Sequence, residues 1–212
     1  MHIILETPRL TLRQFTEDDV DDLFDLNNDP EVMRYLTGGR PTPREVIRDE
    51  VIPFHLAVYD RLDRLGTWAA ESSTGEFLGW FHFRPGPGAD ITNVDLGYRL
   101  RRSTWNKGYA TEGSRALISM GFTDLGVERV YAHTMTVNTA SRRVLEKCGL
   151  NLVRTTPYEG DDIIEGSEYG EVEYALTKPE WEARPACDAP PDPGTGHRAA
   201  ARVSSNSSRV SP

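Results

Sequence analysis

The sequence predicts an α+β protein in which helices pack against one sheet. Three observations carry this. The hydrophobic periodicity switches between strand and helix along the chain in the order β-α-α-β-β-β-α-β-α-β-β. Of the 212 residues, 38% are hydrophobic and 27% are charged, which leaves enough apolar material for a real core. The composition then changes sharply near Trp181. Residues 183–212 hold no Leu, Ile, Met, Phe, Tyr or Trp, and 18 of these 30 are Ala, Pro, Ser or Gly. Such a stretch buries too little apolar surface to offset the entropy of ordering it. The domain is therefore expected over 1–182, with a disordered C-terminal tail over 183–212.

The elements follow in order. Residues 10–15 alternate and read as a strand. Thr16 can cap a helix that begins at Glu17-Asp18-Asp19, where acids suit the positive helix end. Thr42-Pro43-Arg44-Glu45 reads as a capping box with proline at the first helical position. The helix it opens is expected to break or kink at Pro53, which lacks an N–H. Residues 67–71 and 77–83 read as strands around a Ser72-Ser73-Thr74-Gly75 turn, and the loop 84–88 leads to a strand over 93–101. A helix over 108–122, a strand over 129–135, a helix over 139–148 stopped by Gly149, and strands over 150–156 and 169–176 complete the order.

Charge and cysteine usage narrow the function. Lys and Arg number 24 against 33 Asp and Glu, for a net charge of -9. Phosphate binding needs basic patches, so neither nucleic acid nor anionic membrane is expected as a partner. The tail holds four Arg against two Asp, which leaves -11 on residues 1–182. No apolar run approaches the roughly 20 residues that span a bilayer. Residues 1–6 lack the basic and apolar regions of a signal peptide. Two cysteines, Cys148 and Cys187, argue against a disulfide framework or a cysteine metal site, and a cytoplasmic location is expected.

The chemistry concentrates in two segments. In the first, the strand Val94-Asp95-Leu96-Gly97-Tyr98-Arg99-Leu100 runs through a short loop into Trp105-Asn106-Lys107-Gly108-Tyr109-Ala110-Thr111-Glu112. Gly108 and Ala110 let a ligand approach the backbone closely. The first N–H groups of the helix have no internal partner, so this turn can cradle a phosphate or pyrophosphate. Alone it reads equally as an ordinary strand–helix turn, and it is neither a Walker loop nor a Gly-x-Gly-x-x-Gly motif. In the second segment, Asn138 and Ser141 stand on nearly the same face at the start of the next helix.

Together, Gly108-Tyr109-Ala110-Thr111-Glu112 and Asn138-x-x-Ser141-x-x-x-Leu145-Glu146-Lys147-x-Gly149 resemble the GNAT superfamily of acyl-CoA-dependent N-acetyltransferases. Within it they resemble the branch of RimJ/RimL-type ribosomal-protein-alanine acetyltransferases. So do the opening Leu5-Glu6-Thr7-Pro8-Arg9-Leu10-Thr11-Leu12-Arg13, the central Thr74-Gly75-Glu76-Phe77-Leu78-Gly79, and the closing Tyr174-Ala175-Leu176-Thr177-Lys178-x-x-Trp181, which matches a last strand and terminal helix. The resemblance covers residues 5–182. It implies the GNAT fold: a mixed, mostly antiparallel sheet of about seven strands with about four flanking helices, splayed where acetyl-CoA lies. It also implies that backbone groups of Tyr98, Arg99 and Leu100 meet the pantetheine arm and polarise the thioester carbonyl. Amides of Asn106, Lys107, Gly108, Tyr109, Ala110 and Thr111 would hold the pyrophosphate, and Asn138 would bond the cofactor arm. Trp105 stands where the superfamily often has Gln or Arg, which removes one side-chain donor.

The implied reaction moves an acetyl group from acetyl-CoA to a primary amine, of a small molecule or a protein N-terminus, by direct transfer in a ternary complex. It needs a proton acceptor for the amine, an oxyanion site and help for the departing thiolate. Ser141 is the candidate to protonate or hydrogen-bond the sulfur, against a purely helix-terminal role. Asp95, acting through water, is the candidate base; Glu112 is the other, although helix electrostatics suffice to explain it. Cys148 ends a helix, where the dipole disfavours a thiolate nucleophile. His82 and His133 lack further ligands at recognisable spacing, so no metal is expected. Trp68, Trp80, Phe81 and Phe83 read as core and pocket wall. Residues 159–173 hold seven acids and no Lys or Arg, and the family's architecture places them beside the acceptor cleft. This segment reads as an acidic mouth for a cationic acceptor or, equally, as a solvated loop. A catalytically silent acyl-CoA-binding module is the rival reading, and a homodimer is left open.

Overall fold

The computed structural model describes residues 2–184, except 60, 63, 87, 89 and 161–163. Of the tail expected over 183–212, everything beyond residue 184 lies outside the described residues, as do residues 161–163 of the acidic segment. A hairpin of β1 (Ile3–Glu6) and β2 (Leu10–Arg13) leads to helices α1 (Val20–Asn27) and α2 (Pro30–Thr37). A short α3 (Arg44–Val46) passes through a π-turn at Ile47–Val51 into α4 (Ile52–Tyr59). Three strands follow, β3 (Gly66–Ser72), β4 (Phe77–Pro85) and β5 (Asn93–Leu100). Helix α5 (Tyr109–Asp124) crosses to β6 (Arg129–Met135), and α6 (Thr139–Lys147) leads to β7 (Asn151–Thr156), β8 (Glu171–Thr177) and α7 (Lys178–Glu182).

The eight strands form one sheet in the order β1-β2-β3-β4-β5-β6-β8-β7. Every pairing is antiparallel except β5 with β6, the pair joined by α5. A parallel pair needs such a crossover, because no tight turn can return the chain to the same end of the sheet. Alternation along the strands gives the sheet two apolar faces. Trp68, Phe81, Phe83, Leu96 and Tyr174 pack with Leu117, Ile118 and Phe122 of α5 and Leu145 of α6. On the other face Ala69 and Phe77 pack with Leu23 and Leu26 of α1, Ile47 of the π-turn and Ile52 of α4.

Three local expectations are corrected. The chain forms eight strands rather than about seven, since residues 3–6 pair with β2. Pro43 stands extended at the cap position of α3 and no side chain caps that helix, so the expected Thr42–Glu45 box is absent. The helix is also not broken at Pro53. The ladder widens just before it, where the Ile52 N–H donates to Ile47 O, and α4 runs on to Tyr59. Helix α2 is an addition to the expected order. Its Asp29 carboxylate accepts from the Glu31 N–H at 2.9 Å, with proline in the first turn.

Candidate functional site

The site begins where β5 and β6 part. They pair only at Asn93–Arg129, Val94–Val130 and Asp95–Tyr131. Beyond Asp95, β5 stays paired with β4 and β6 stays paired with β8, so a gap opens between them. The direction of the β5 backbone groups follows from the β4 ladder. The Arg101 N–H donates to Leu78 O, and the register runs without a shift from Gly79–Leu100 to Pro85–Val94. Antiparallel pairs alternate in their bonding. Trp80–Arg99 and His82–Gly97 are therefore the bonded pairs, and the backbone groups of Leu96, Tyr98 and Leu100 turn to the gap. Of the three residues expected to offer their backbone there, Arg99 does not, because its groups are committed to β4. The Leu100 carbonyl accepts from Trp105 Nε1 at 2.8 Å. Trp105 thus ties the loop back to the strand.

At the end of the gap a single turn at Arg102–Thr104 leads to exposed residues 105–108 and then α5. Asn106 (φ 60°) and Gly108 (φ 86°) are both left-handed. Such backbone, just ahead of a helix N-terminus, aims successive N–H groups outward as an anion cradle. Arg9 braces this turn: its Nη1 donates to Lys107 O at 2.9 Å, and its guanidinium lies 4.7 Å from the Tyr109 ring centre. The Glu112 carboxylate accepts from Arg9 Nε at 2.6 Å, from the Arg9 N–H at 3.0 Å and from Thr7 Oγ1 at 2.7 Å. Glu112 is thereby engaged as a brace and is directed away from the gap. The Thr7-Pro8-Arg9 signal lies in the opening segment, but its partner cannot be read from local sequence.

Asn138 is the N-cap of α6. Its side-chain oxygen accepts from the Ser141 N–H at 3.2 Å, which leaves its NH₂ group for another acceptor. Ser141 Oγ lies 3.2 Å from the Tyr98 hydroxyl, which links α6 to β5 on the α5 face of the sheet. Burial pushes the Tyr98 hydroxyl well above the usual tyrosine range, so it stays protonated. This side chain is a functional candidate that the sequence reading does not reach, because only the fold brings it to Ser141.

Asp95 faces the opposite side of the sheet, at the point where the gap opens. Its Oδ2 lies 3.4 Å from His82 Nε2 on the neighbouring strand, and His82 stacks on Trp80 with ring centres 5.7 Å apart. The His82 ring covers Gly97, where any Cβ would collide with it at 2.5 Å. Arg99 shares this face. Its guanidinium donates to Asn27 Oδ1 at the end of α1 and lies 5.1 Å from the Trp80 ring centre. The gap therefore joins two chemically different faces, with Asp95, His82 and Arg99 on one and Tyr98 and Ser141 on the other. Trp68, Phe81 and Phe83 are core, while half-buried Trp80 walls the Asp95 face.

Cys148 is buried at the C-terminal cap of α6, its Sγ 3.8 Å from Thr111 O, and burial pushes its thiol up to about 12. His133 lies 3.6 Å from Glu173, whose carboxylate also meets Arg129 and Arg154. In the acidic segment, Glu165 is held at 2.8 Å by Arg34, which brings this part of the segment against α2. Glu168 is exposed, and Asp161 and Asp162 lie outside the described residues. Among the described residues, no helix is long and apolar enough to cross a membrane, and no group of three or more His, Cys, Asp or Glu is placed to hold a metal.

Comparison with known proteins accords with this geometry. A family model described as an acetyltransferase (GNAT) domain matches residues 9–151. The FsC-acetyl coenzyme A-N(2)-transacetylase of Aspergillus fumigatus is 34% identical over 186 residues, covering 84% of this chain and 77% of its own. A GNAT-family acetyltransferase structure from Bacillus anthracis superposes with a TM-score of 0.69 at 24% identity, over 85% of this chain and all of the other. A structure of RimL, a ribosomal L7/L12 α-N-protein acetyltransferase in complex with coenzyme A, gives a TM-score of 0.69 at 20% identity, over 83% of this chain and 98% of its own.

Proposed function

The chain belongs to the GNAT acetyltransferases, and from that premise we propose that it transfers an acetyl group from acetyl-CoA to a primary amine, directly, in a ternary complex. The observation that carries the reading is the gap after Asp95, which opens on both faces of the sheet and ends at the left-handed turn before α5. In this reading the amides of Asn106 to Thr111 hold the pyrophosphate. The Tyr98 and Leu100 backbones meet the pantetheine arm along the gap, and the NH₂ of Asn138 bonds it from α6.

The acceptor approaches from the Asp95 face. Asp95 takes a proton from the ammonium through water, and the freed nitrogen attacks the thioester carbonyl carbon. A backbone N–H of β5 turned to the gap meets the developing oxyanion, since a donor preset at that point favours the transition state over the ground state. As the C–S bond breaks, Ser141 hydrogen-bonds the departing sulfur, with the Tyr98 hydroxyl behind it. The amine comes from a small molecule, in keeping with the name of the Aspergillus relative, or from a protein N-terminus, in keeping with the name of the RimL structure. Its ammonium end enters between α2 and the acidic segment.

The test is thiol release from acetyl-CoA against an amine library, with Asp95→Asn, Glu165→Gln and Glu168→Gln alongside the natural chain. Asp95→Asn is expected to lower kcat by about 100-fold or more. Binding of CoA without turnover on any amine would favour the silent module instead. Rates unchanged by both Gln substitutions would remove the acidic segment from acceptor selection.

A further inference from the structure

Arg99 stands out among the arginines around the site. Arg13 is bidentate to Asp19 and also meets Glu71 at 2.6 Å, and Arg101 meets Asp22 at 2.7 Å. Arg99 meets no carboxylate among the described residues. Among the described residues its one hydrogen bond goes to the neutral oxygen of Asn27, and its Nε, like that of Arg101, is buried without a hydrogen-bond partner. Burial alone pulls its guanidinium down to about 10. A guanidinium withdrawn from water without a counter-charge is costly, and it becomes favourable once an anion completes it.

The surroundings say where that anion would come from. At Arg99, β5 keeps Trp80 on one side, but β6 has already left on the other. The side chain therefore stands at the lip of the gap, on the face that carries Asp95. Trp80 beneath it and Asn27 beside it hold the guanidinium plane, which presets the fork that matches a carboxylate. We propose that Arg99 binds a carboxylate of the acetyl acceptor, which makes the acceptor an amine with a carboxylate on the same molecule. About 13 Å of strand separates the Cα atoms of Asp95 and Arg99. The amine and the carboxylate are thus joined through a chain of several atoms rather than at one carbon, as in an ω-amino acid. This inference rests on the acetyl-transfer reading and on the acceptor approaching the Asp95 face.

Three probes of one length test it: 6-aminohexanoate, its amide, and 1,6-diaminohexane, each with acetyl-CoA. The natural chain is expected to favour 6-aminohexanoate in kcat/KM by at least about tenfold over the amide. Arg99→Gln should abolish that preference by raising KM for 6-aminohexanoate, with the amide rate and the KM for acetyl-CoA little changed. Arg99→Lys should recover part of the preference. The retained amide rate serves as the control for folding. Equal or faster transfer to the amide or the diamine by the natural chain overturns the proposal alone, as does an equal loss on all three probes in Arg99→Gln. Transfer to none of these probes, with another amine of the library acetylated, overturns this inference alone, while binding of CoA with turnover on no amine of the library overturns the amine-transfer reading and this inference with it.

Discussion

Arg9 Nε donates to the Glu112 carboxylate at 2.6 Å, while the same guanidinium reaches Lys107 O at 2.9 Å. One side chain from the β1–β2 hairpin thus braces both the turn before α5 and the first turn of that helix. Arg9→Ala is expected to raise the KM and the Kd for acetyl-CoA by roughly tenfold, about 1.4 kcal/mol, with kcat little changed. Glu112→Gln should act in the same direction and more weakly, because the neutral side chain still accepts hydrogen bonds. Calorimetric titration with CoA beside steady-state kinetics checks this; a fall in kcat at constant KM would assign Glu112 to the chemistry instead.

Ser141 and Tyr98 form a pair across the gap. Ser141→Ala should lower kcat by about 100-fold, within the range for a positioned hydrogen-bond or proton donor. Tyr98→Phe should cost less, and the double variant should lose little more than Ser141→Ala alone, as coupled residues do. Additive losses would show that the two hydroxyls act independently.

Asp19 lies buried beneath the first helix, where Arg13 and the Thr16 N–H hold it. Burial opposes its ionisation, but the bonds from Arg13 and Thr16 prevail and keep the carboxyl below the usual aspartate range. The unfolded chain then binds the proton first on acidification. The stability from this group is complete above the unfolded pKa of about 3.9, and it is lost as pH falls through the lower folded value. Asp19→Asn should cost about 1–3 kcal/mol at pH 7, since it removes one of the two carboxylates that hold the buried Arg13 and leaves Glu71. It should also flatten the acid limb of the stability curve. Urea unfolding between pH 3 and pH 7 measures both effects.

Cys148 should behave as a core side chain. With its thiol pushed up to about 12, thiolate is scarce at neutral pH. Alkylation of the folded protein at this position is therefore expected to be slow, and Cys148→Ala should keep kcat within about twofold. Mass mapping of the alkylated residue together with kinetics decides it; loss of turnover in a folded Cys148→Ala protein would reopen a nucleophilic role.

Much of the fold was legible because its signals are local. The period of residues 109–124 and 139–147, the alternation of 77–85 and the small residues before α5 lie within single windows, and α5, α6, β4 and the turn form where they predict. Asn106 and Gly108 carry the left-handed backbone that such a turn demands. Strand β1 was not legible, since Ile3-Ile4-Leu5-Glu6 does not alternate and takes its shape from pairing with β2. By itself, then, the sequence determined the elements, the small-residue turn before α5 and the resemblance to a family. Only the tertiary structure decided that Asp95 and Ser141 lie on opposite faces of one gap, that the Tyr98 hydroxyl meets Ser141, that Glu112 is a brace, and that Arg99 meets no acid among the described residues. Those relationships depend on which strands lie side by side and on where β5 and β6 part. Contacts between residues remote in the chain set that arrangement, and no local window contains them.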